Sequence, residues 1–285
     1  MPEYGFLIIN KPAGISSFGV VSYLRKITGI KRIGHTGTLD PFAEGVLIVA
    51  IGLATRFIEL FDNDRKTYEV IAEIGIRTDS GDMTGEIIER GMIIESIENI
   101  LDIEDRVKNI KEQVPPRYSA IKVNGKRAYS LARKGVDFGL AARDIQIDEF
   151  HIHQYTKPNL VYSCTVSKGT YVRVLTETIG ELLGTVATTK TLHRTCVGSI
   201  SISESIEMET LDSMNWKKYL IEVEQLLSNH QRIVINDEET RRFKNGIQLC
   251  DSEKPDGIYV IYNKDCIIGL GKMQSNMLQP YKVLS

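Results

Sequence analysis

The chain has 285 residues, 42% hydrophobic and 25% charged, with 35 basic against 37 acidic side chains. These proportions exclude a disordered, collagen-like or coiled-coil chain, and a formal charge of -2 excludes a protein that coats nucleic acid by bulk basicity. No apolar run reaches the ~18 residues of a membrane span, and no basic segment precedes the apolar run of MPEYGFLIIN, so a soluble, unexported, cytoplasmic protein is expected.

The length suits one large domain with a small appendage. In chain order, the apolar run at 5–10, closed by Lys11-Pro12-Ala13-Gly14, reads as a strand and a turn. Ser16 or Ser17 caps a helix in which Val20, Val21, Leu24 and Ile27 recur at helical spacing, ending near Gly29. Residues 66–74 alternate, with Tyr68, Val70, Ala72 and Ile74 on one face, which predicts a half-buried strand. The stretch from Pro115 to Gly139 begins Pro-Pro and has few strongly apolar residues, as expected of an insertion projecting from the core. Leu160 to Val166 fits a further strand. After a Lys168-Gly169 turn, Val172, Leu175, Ile179, Leu182 and Leu183 are spaced as a helix ending at Gly184.

From about residue 229 the pattern changes. The short strands RIVIN, YVIY and CIIGLGK, a brief EETRRF helix and a hairpin at Asn263-Lys264-Asp265 predict a small β-rich domain. The expected class is therefore mixed α/β, with domains at 1–228 and 229–285. The cysteines Cys164, Cys196, Cys250 and Cys266 form no CxxC pair and have no histidine at zinc-finger spacing, so no structural zinc is expected. A reducing compartment makes a disulfide unnecessary.

Charge is unevenly distributed. Arg117 to Arg143 holds seven basic residues against Asp137 alone, whereas Asp79 to Asp105 holds nine acids and only Arg90. Ser22 to His35 adds Arg25, Lys26, Lys31 and Arg32 with no acid. Each run reads either as a solvated face or as part of a polarised surface.

Polar residues and glycines are densest at Gly34-His35-Thr36-Gly37-Thr38-Leu39-Asp40-Pro41. Two glycines permit a tight path, and His35 and Asp40 supply a base and a carboxylate. The structural alternative makes Asp40 the N-cap of a helix with Pro41 at its first position. The run lacks both the GxxxxGK[ST] and GxGxxG phosphate-binding arrangements.

This run, extended to GHTGTLDPFAEGVLIVAIGLATR and followed by KTYEV, GIRTDSGD, PPRYSAIKVNGKRAYSLARKG and SKGTYVR, resembles the bacterial tRNA pseudouridine-55 synthase family. The likeness extends from NKPAG at residue 10 to LQPYKVL at the end. It implies a pseudouridine synthase catalytic domain on a central mixed sheet, followed by a PUA-like RNA-binding domain. The implied reaction isomerises a uridine of the tRNA T-loop, breaking N1–C1′ and forming C5–C1′, with no cofactor and no metal.

Carried over residue by residue, the resemblance makes Asp40 the nucleophile, attacking either C1′ or C6. Tyr68 stacks on the base and is the group proposed to take the substrate's proton; read without the resemblance, its place on the apolar face makes it core. Arg173 pairs with Asp40, the alternative being an exposed pair with Glu177. His35 fills the space left by the extruded base, Tyr171 and Leu192 line the uracil pocket, and Asp82 helps organise the site.

The basic insertion at about 115–143 corresponds to a thumb closing on the tRNA, and Lys11, Arg25, Lys26, Lys31 and Arg32 extend its footprint. Phe42, Glu44, Ile48 and Ile200 depart from the residues usual in the family, without removing a chemical group. The expected partner is tRNA, through its T-loop and elbow, bound by a monomer needing no membrane or obligatory protein partner. An RNA-guided dyskerin-like enzyme is disfavoured by the lack of long terminal extensions. A tRNA-folding chaperone is disfavoured by a carboxylate–arginine pair that binding alone does not need.

Overall fold

The computed structural model describes residues 4–119, 121–123, 125–250 and 253–284. Strand β1 (Gly5–Lys11) leads through the Pro12–Gly14 turn into helix α1 (Ser17–Thr28). The Ser16 side chain accepts from the Gly19 N–H, and Gly29 closes the helix in a left-handed conformation at φ 72°. Strands β2 (Ile33–His35), β3 (Glu44–Ile51) and β4 (Lys66–Ile74) follow, then the short hairpin β5 (Ile76–Thr78) and β6 (Ile87–Arg90), and helix α2 (Ile100–Lys108). After the insertion come β7 (Ile147–Thr156), β8 (Asn159–Val166), α3 (Val172–Leu182), β9 (Ala187–Val197) and β10 (Ile206–Glu207).

Apart from the separate β5–β6 hairpin, these strands and the short strand Ile200–Ser201 form a mixed nine-stranded sheet with a main path β7-β8-β4-β9-β3-β1-β10. The two contacts β9–β3 and β1–β10 are parallel, and the others along this path are antiparallel. The continuous apolar runs of β1 and β3 are explained by burial on both faces. Leu7, Ile9, Leu47 and Val49 pack beneath Val20, Val21 and Leu24 of α1. Phe6, Ile8, Val46 and Ile48 pack on the other side with Phe57, Phe61 and residues from the C-terminal end. Strand β4 alternates as its sequence predicts. Its Tyr68, Val70, Ala72 and Ile74 join Leu175 and Ile179 of α3 in another cluster, while Glu69 faces solvent.

The C-terminal elements are β11 (Arg232–Val234), α4 (Asp237–Lys244), β12 (Leu249–Cys250), β13 (Gly257–Asn263), β14 (Cys266–Gln274) and β15 (Met277–Val283). They form a separate five-stranded sheet ordered β11-β13-β14-β15-β12. The expected hairpin is present, with Asn263 opposite Cys266 and Lys264 at φ 53°. Strand β13 alternates between two cores: Tyr259 and Ile261 face this sheet's own cluster, and Val260 and Tyr262 face the one containing Phe6 and Phe61. The two sheets thus share apolar contacts. Of the unusual residues, Ile48 and Ile200 are buried in that shared cluster.

The 115–143 stretch is built of two-residue strands and one short helix, Ala128–Ala132. Its base does not simply project from the core, because Ser119 and Ala128 are buried. Among the described residues, no helix is long and apolar enough to cross a membrane.

Candidate active site

The loop from β2 to β3 carries Asp40 and is fixed by bonds on both sides of it. Ser17 Oγ accepts from the Leu39 N–H at 2.8 Å and donates to the Leu39 carbonyl at 3.1 Å. The Gly14 N–H donates to the Pro41 carbonyl at 2.8 Å. Beneath lies Lys11, completely buried, its ammonium donating to the carbonyls of Pro12, Ile15 and Pro41. Burial pushes the Lys11 pKa down to about 8. The expectation that Lys11 extends an RNA-binding surface is therefore overturned: its charge faces backbone carbonyls. The helix-cap reading of Asp40 also fails. The Asp40 carbonyl accepts from the Ala43 N–H at 3.1 Å, closing a turn that leads directly into β3.

Arg173, in the first turn of α3, is 3% exposed. Its Nε donates to Asp40 Oδ2 at 2.8 Å, Nη2 donates to the Tyr118 carbonyl at 2.9 Å, and Nη1 donates to the Ser80 carbonyl. Asp82 Oδ2 lies 3.9 Å from Nη1. Asp82 is itself buried, its Oδ1 accepting from Ser80 Oγ and from the backbone and hydroxyl of Thr84. The guanidinium thus joins three segments distant in sequence, and its charge-assisted bond orients Asp40. Burial raises the Asp40 pKa above the ordinary aspartate range, while Arg173 opposes that rise.

Tyr68 stands across the cleft on β4, opposite Arg194 of β9 in the strand register. Burial raises the phenol's pKa, and the adjacent Arg194 guanidinium pulls it back. Arg194 is only 2% exposed and donates to the Val46 carbonyl at 2.7 Å and the Gly37 carbonyl at 3.3 Å. Close passage of β9 past β3 requires Gly45. Its φ is 107°, and a Cβ there would stand 2.2 Å from the Arg194 carbonyl oxygen.

Tyr171 precedes α3 and is held by Gln113, which accepts from its N–H and donates to its carbonyl. His35 lies near Arg194, and burial followed by that charge presses its imidazole pKa below the ordinary value. Its Nδ1 is buried without a hydrogen-bond partner among the described residues.

One cleft of about 930 Å³ brings together all seven residues singled out from the sequence: His35, Asp40, Tyr68, Asp82, Tyr171, Arg173 and Leu192. It is also lined by Phe42, Lys66, Tyr118, Arg133, Lys168 and Arg194, which sequence reasoning did not assign to the site. For Arg194 a signal existed: in TLHRTCV the two-residue period places this charge on the same face as Leu192. Tyr118 and Arg133 come from the basic insertion, so that segment supplies part of the wall. Among the described residues, no three His, Cys, Asp or Glu side chains are grouped as metal ligands. An acid held by a buried arginine, in a cleft that also carries a phenol and further basic side chains, is placed where a carboxylate can serve as a nucleophile.

Comparisons with known proteins identify the family of the chain and the likeness of its fold. Residues 25–172 match the model of the TruB family pseudouridylate synthase N-terminal domain. A protein of Clostridium tetani named tRNA pseudouridine synthase B is 36% identical, the match covering 98% of this chain and 99% of the relative. Its namesake from Clostridium kluyveri is 38% identical over 94% of this chain and 96% of the relative. Among solved structures, a chain of an H/ACA RNP bound to a substrate RNA containing 2′-deoxyuridine has a TM-score of 0.73 at 21% identity. That match covers 99% of this chain and 85% of the other, and it establishes likeness of fold.

Proposed function

The chain belongs to the TruB family of pseudouridylate synthases, and from that premise we propose that it isomerises uridine 55 in the T-loop of tRNA to pseudouridine. The observation that carries this reading is the Asp40–Arg173 pair at 2.8 Å, in one cleft with Tyr68 and Leu192. Arg173 holds one carboxylate oxygen and leaves the other available to attack C1′ or C6 of the nucleotide. Breaking N1–C1′ frees the uracil to turn, C5 then bonds C1′, and the proton on C5 is lost while N1 gains one. Tyr68 is the acceptor proposed for the C5 proton, with Arg194 easing formation of a phenolate that burial disfavours.

A uridine stacked in a folded loop cannot reach Asp40, so the base must be extruded, at a cost of about a few kcal/mol. His35 is assigned the vacated space, and its neutral ring suits contact with stacked bases. Tyr171 and Leu192 clasp the uracil, and Asp82 keeps Arg173 oriented. The basic 115–143 segment serves as the thumb on the RNA, and residues 229–285 serve as a PUA-like RNA-binding domain. The proposed enzyme works without a guide RNA or an obligatory protein partner.

Site mapping tests this directly. Incubated with an unmodified tRNA transcript, the purified protein should place pseudouridine at position 55, and a transcript carrying cytidine there should gain none. Modification elsewhere, or only after a guide RNA or partner protein is added, would overturn the proposal. Tight binding without isomerisation would favour a tRNA-folding role.

A further inference from the structure

Phe18 is 63% exposed and lines the mouth of the same cleft. An isolated exposed apolar residue needs no explanation, but three features distinguish this one. It is not displaced core: α1 buries Val20, Val21 and Leu24. It also follows Ser17, whose hydroxyl is bonded to both the N–H and carbonyl of Leu39. Leu39 immediately precedes Asp40, so the Phe18 backbone and the reacting carboxylate are fixed relative to each other through two short bonds. Finally, the Arg25 guanidinium lies over the Phe18 ring, 5.6 Å from its centroid. Arg25 is held in place by donation to the Ile33 carbonyl at 3.2 Å, and among the described residues no carboxylate forms an ion pair with it. The result is an exposed aromatic ring lining the cleft with a cation held against it.

We propose that Phe18, backed by Arg25, is a stacking subsite for the unpaired base adjacent in the strand to the extruded nucleotide, with Arg25 neutralising a neighbouring phosphate. This rests on the uridine-isomerase reading. With His35 assigned the space inside the loop, the base next to the extruded nucleotide still presents an outer face to the cleft, and an exposed aromatic ring offers it a stacking surface that tolerates any base identity. The guanidinium adds cation–π attraction and a phosphate contact. On this assignment Arg25 keeps the RNA-contact role expected from the sequence, with a specific geometry, whereas Lys11 loses it.

The test compares the full-length protein with Phe18→Ala and Phe18→Trp. Dissociation constants and tritium release are measured on a T-arm stem-loop RNA and on two versions with an abasic nucleotide 5′ or 3′ to the target uridine. Phe18→Ala should weaken binding of the intact loop about tenfold, and Phe18→Trp should restore it. On one abasic RNA the wild type should bind as weakly as Phe18→Ala. An equal penalty on all three RNAs, or none, would overturn the subsite. A wild type that neither binds nor isomerises the intact loop would contradict the isomerase reading itself. Because Phe18 is exposed, its truncation leaves no core cavity to confuse the result.

Discussion

Asp40 is subject to two opposed influences: burial raises its pKa and the Arg173 guanidinium lowers it. A carboxylate attacks only when ionised, so activity should fall as the pH drops through the raised value, above the range of an ordinary aspartate. Arg173→Lys replaces a planar fork by a point charge and loses the bonds linking Asp40, Ser80 and Tyr118. Its kcat should fall about 100-fold, and its acid limb should move to higher pH because less of the rise from burial is offset. A pH–rate profile with an unmoved limb would show that Arg173 does not control this ionisation. At this scale the sequence was most legible where a motif carried several polar groups together, as in GHTGTLDP. Lys11 and Arg194 were not legible in this way. Their roles depend on burial against backbone carbonyls supplied by segments far away in the chain, Pro41 for the former and Gly37 and Val46 for the latter.

Among the elements, α1 and the Asp40 loop act as a unit because Ser17 ties them together. Ser16→Ala removes a cap contact to the Gly19 N–H and should cost about 1 kcal/mol of stability. Ser17→Ala leaves a buried N–H and carbonyl of Leu39 without their partner, at about 1–3 kcal/mol each. Ser17→Ala should therefore melt lower than Ser16→Ala and lose kcat more than it raises KM, since the freed loop carries the proposed nucleophile. Equal melting temperatures and rates for the two variants would contradict the tie. Helix α1, β4 and the C-terminal hairpin follow from periodicity, capping and turn residues because local forces define them. The insertion was harder to read. Its charge suggested a solvated or RNA-facing surface, whereas Tyr118, at its base, binds Arg173 through a main-chain carbonyl that carries no side-chain signature.

In the whole molecule, the C-terminal sheet is joined to the larger one by a common apolar cluster. Leu270, fully buried, and Val260 meet Phe6, Phe57 and Phe61 there. Leu270→Ala should lower stability by about 2–5 kcal/mol, and calorimetry should show both sheets unfolding in one shifted transition. A first transition confined to the C-terminal sheet would show that this cluster does not couple them. The change of pattern near residue 229 made the second sheet predictable, but its attachment was not. That depends on which face of Val260 and Tyr262 meets which face of Phe6, and a single strand's alternation does not name its partner. The fold thus fixes a cleft in which segments from the first half, the insertion and β9 converge on Asp40. In the proposed reaction Asp40, unaided by guide or partner, drives uridine isomerisation. The most direct test is tritium release from tRNA tritiated at uridine C5, comparing wild type with Asp40→Asn. The wild type should release tritium and Asp40→Asn should bind the tRNA yet release none, whereas comparable release by both proteins would contradict the account.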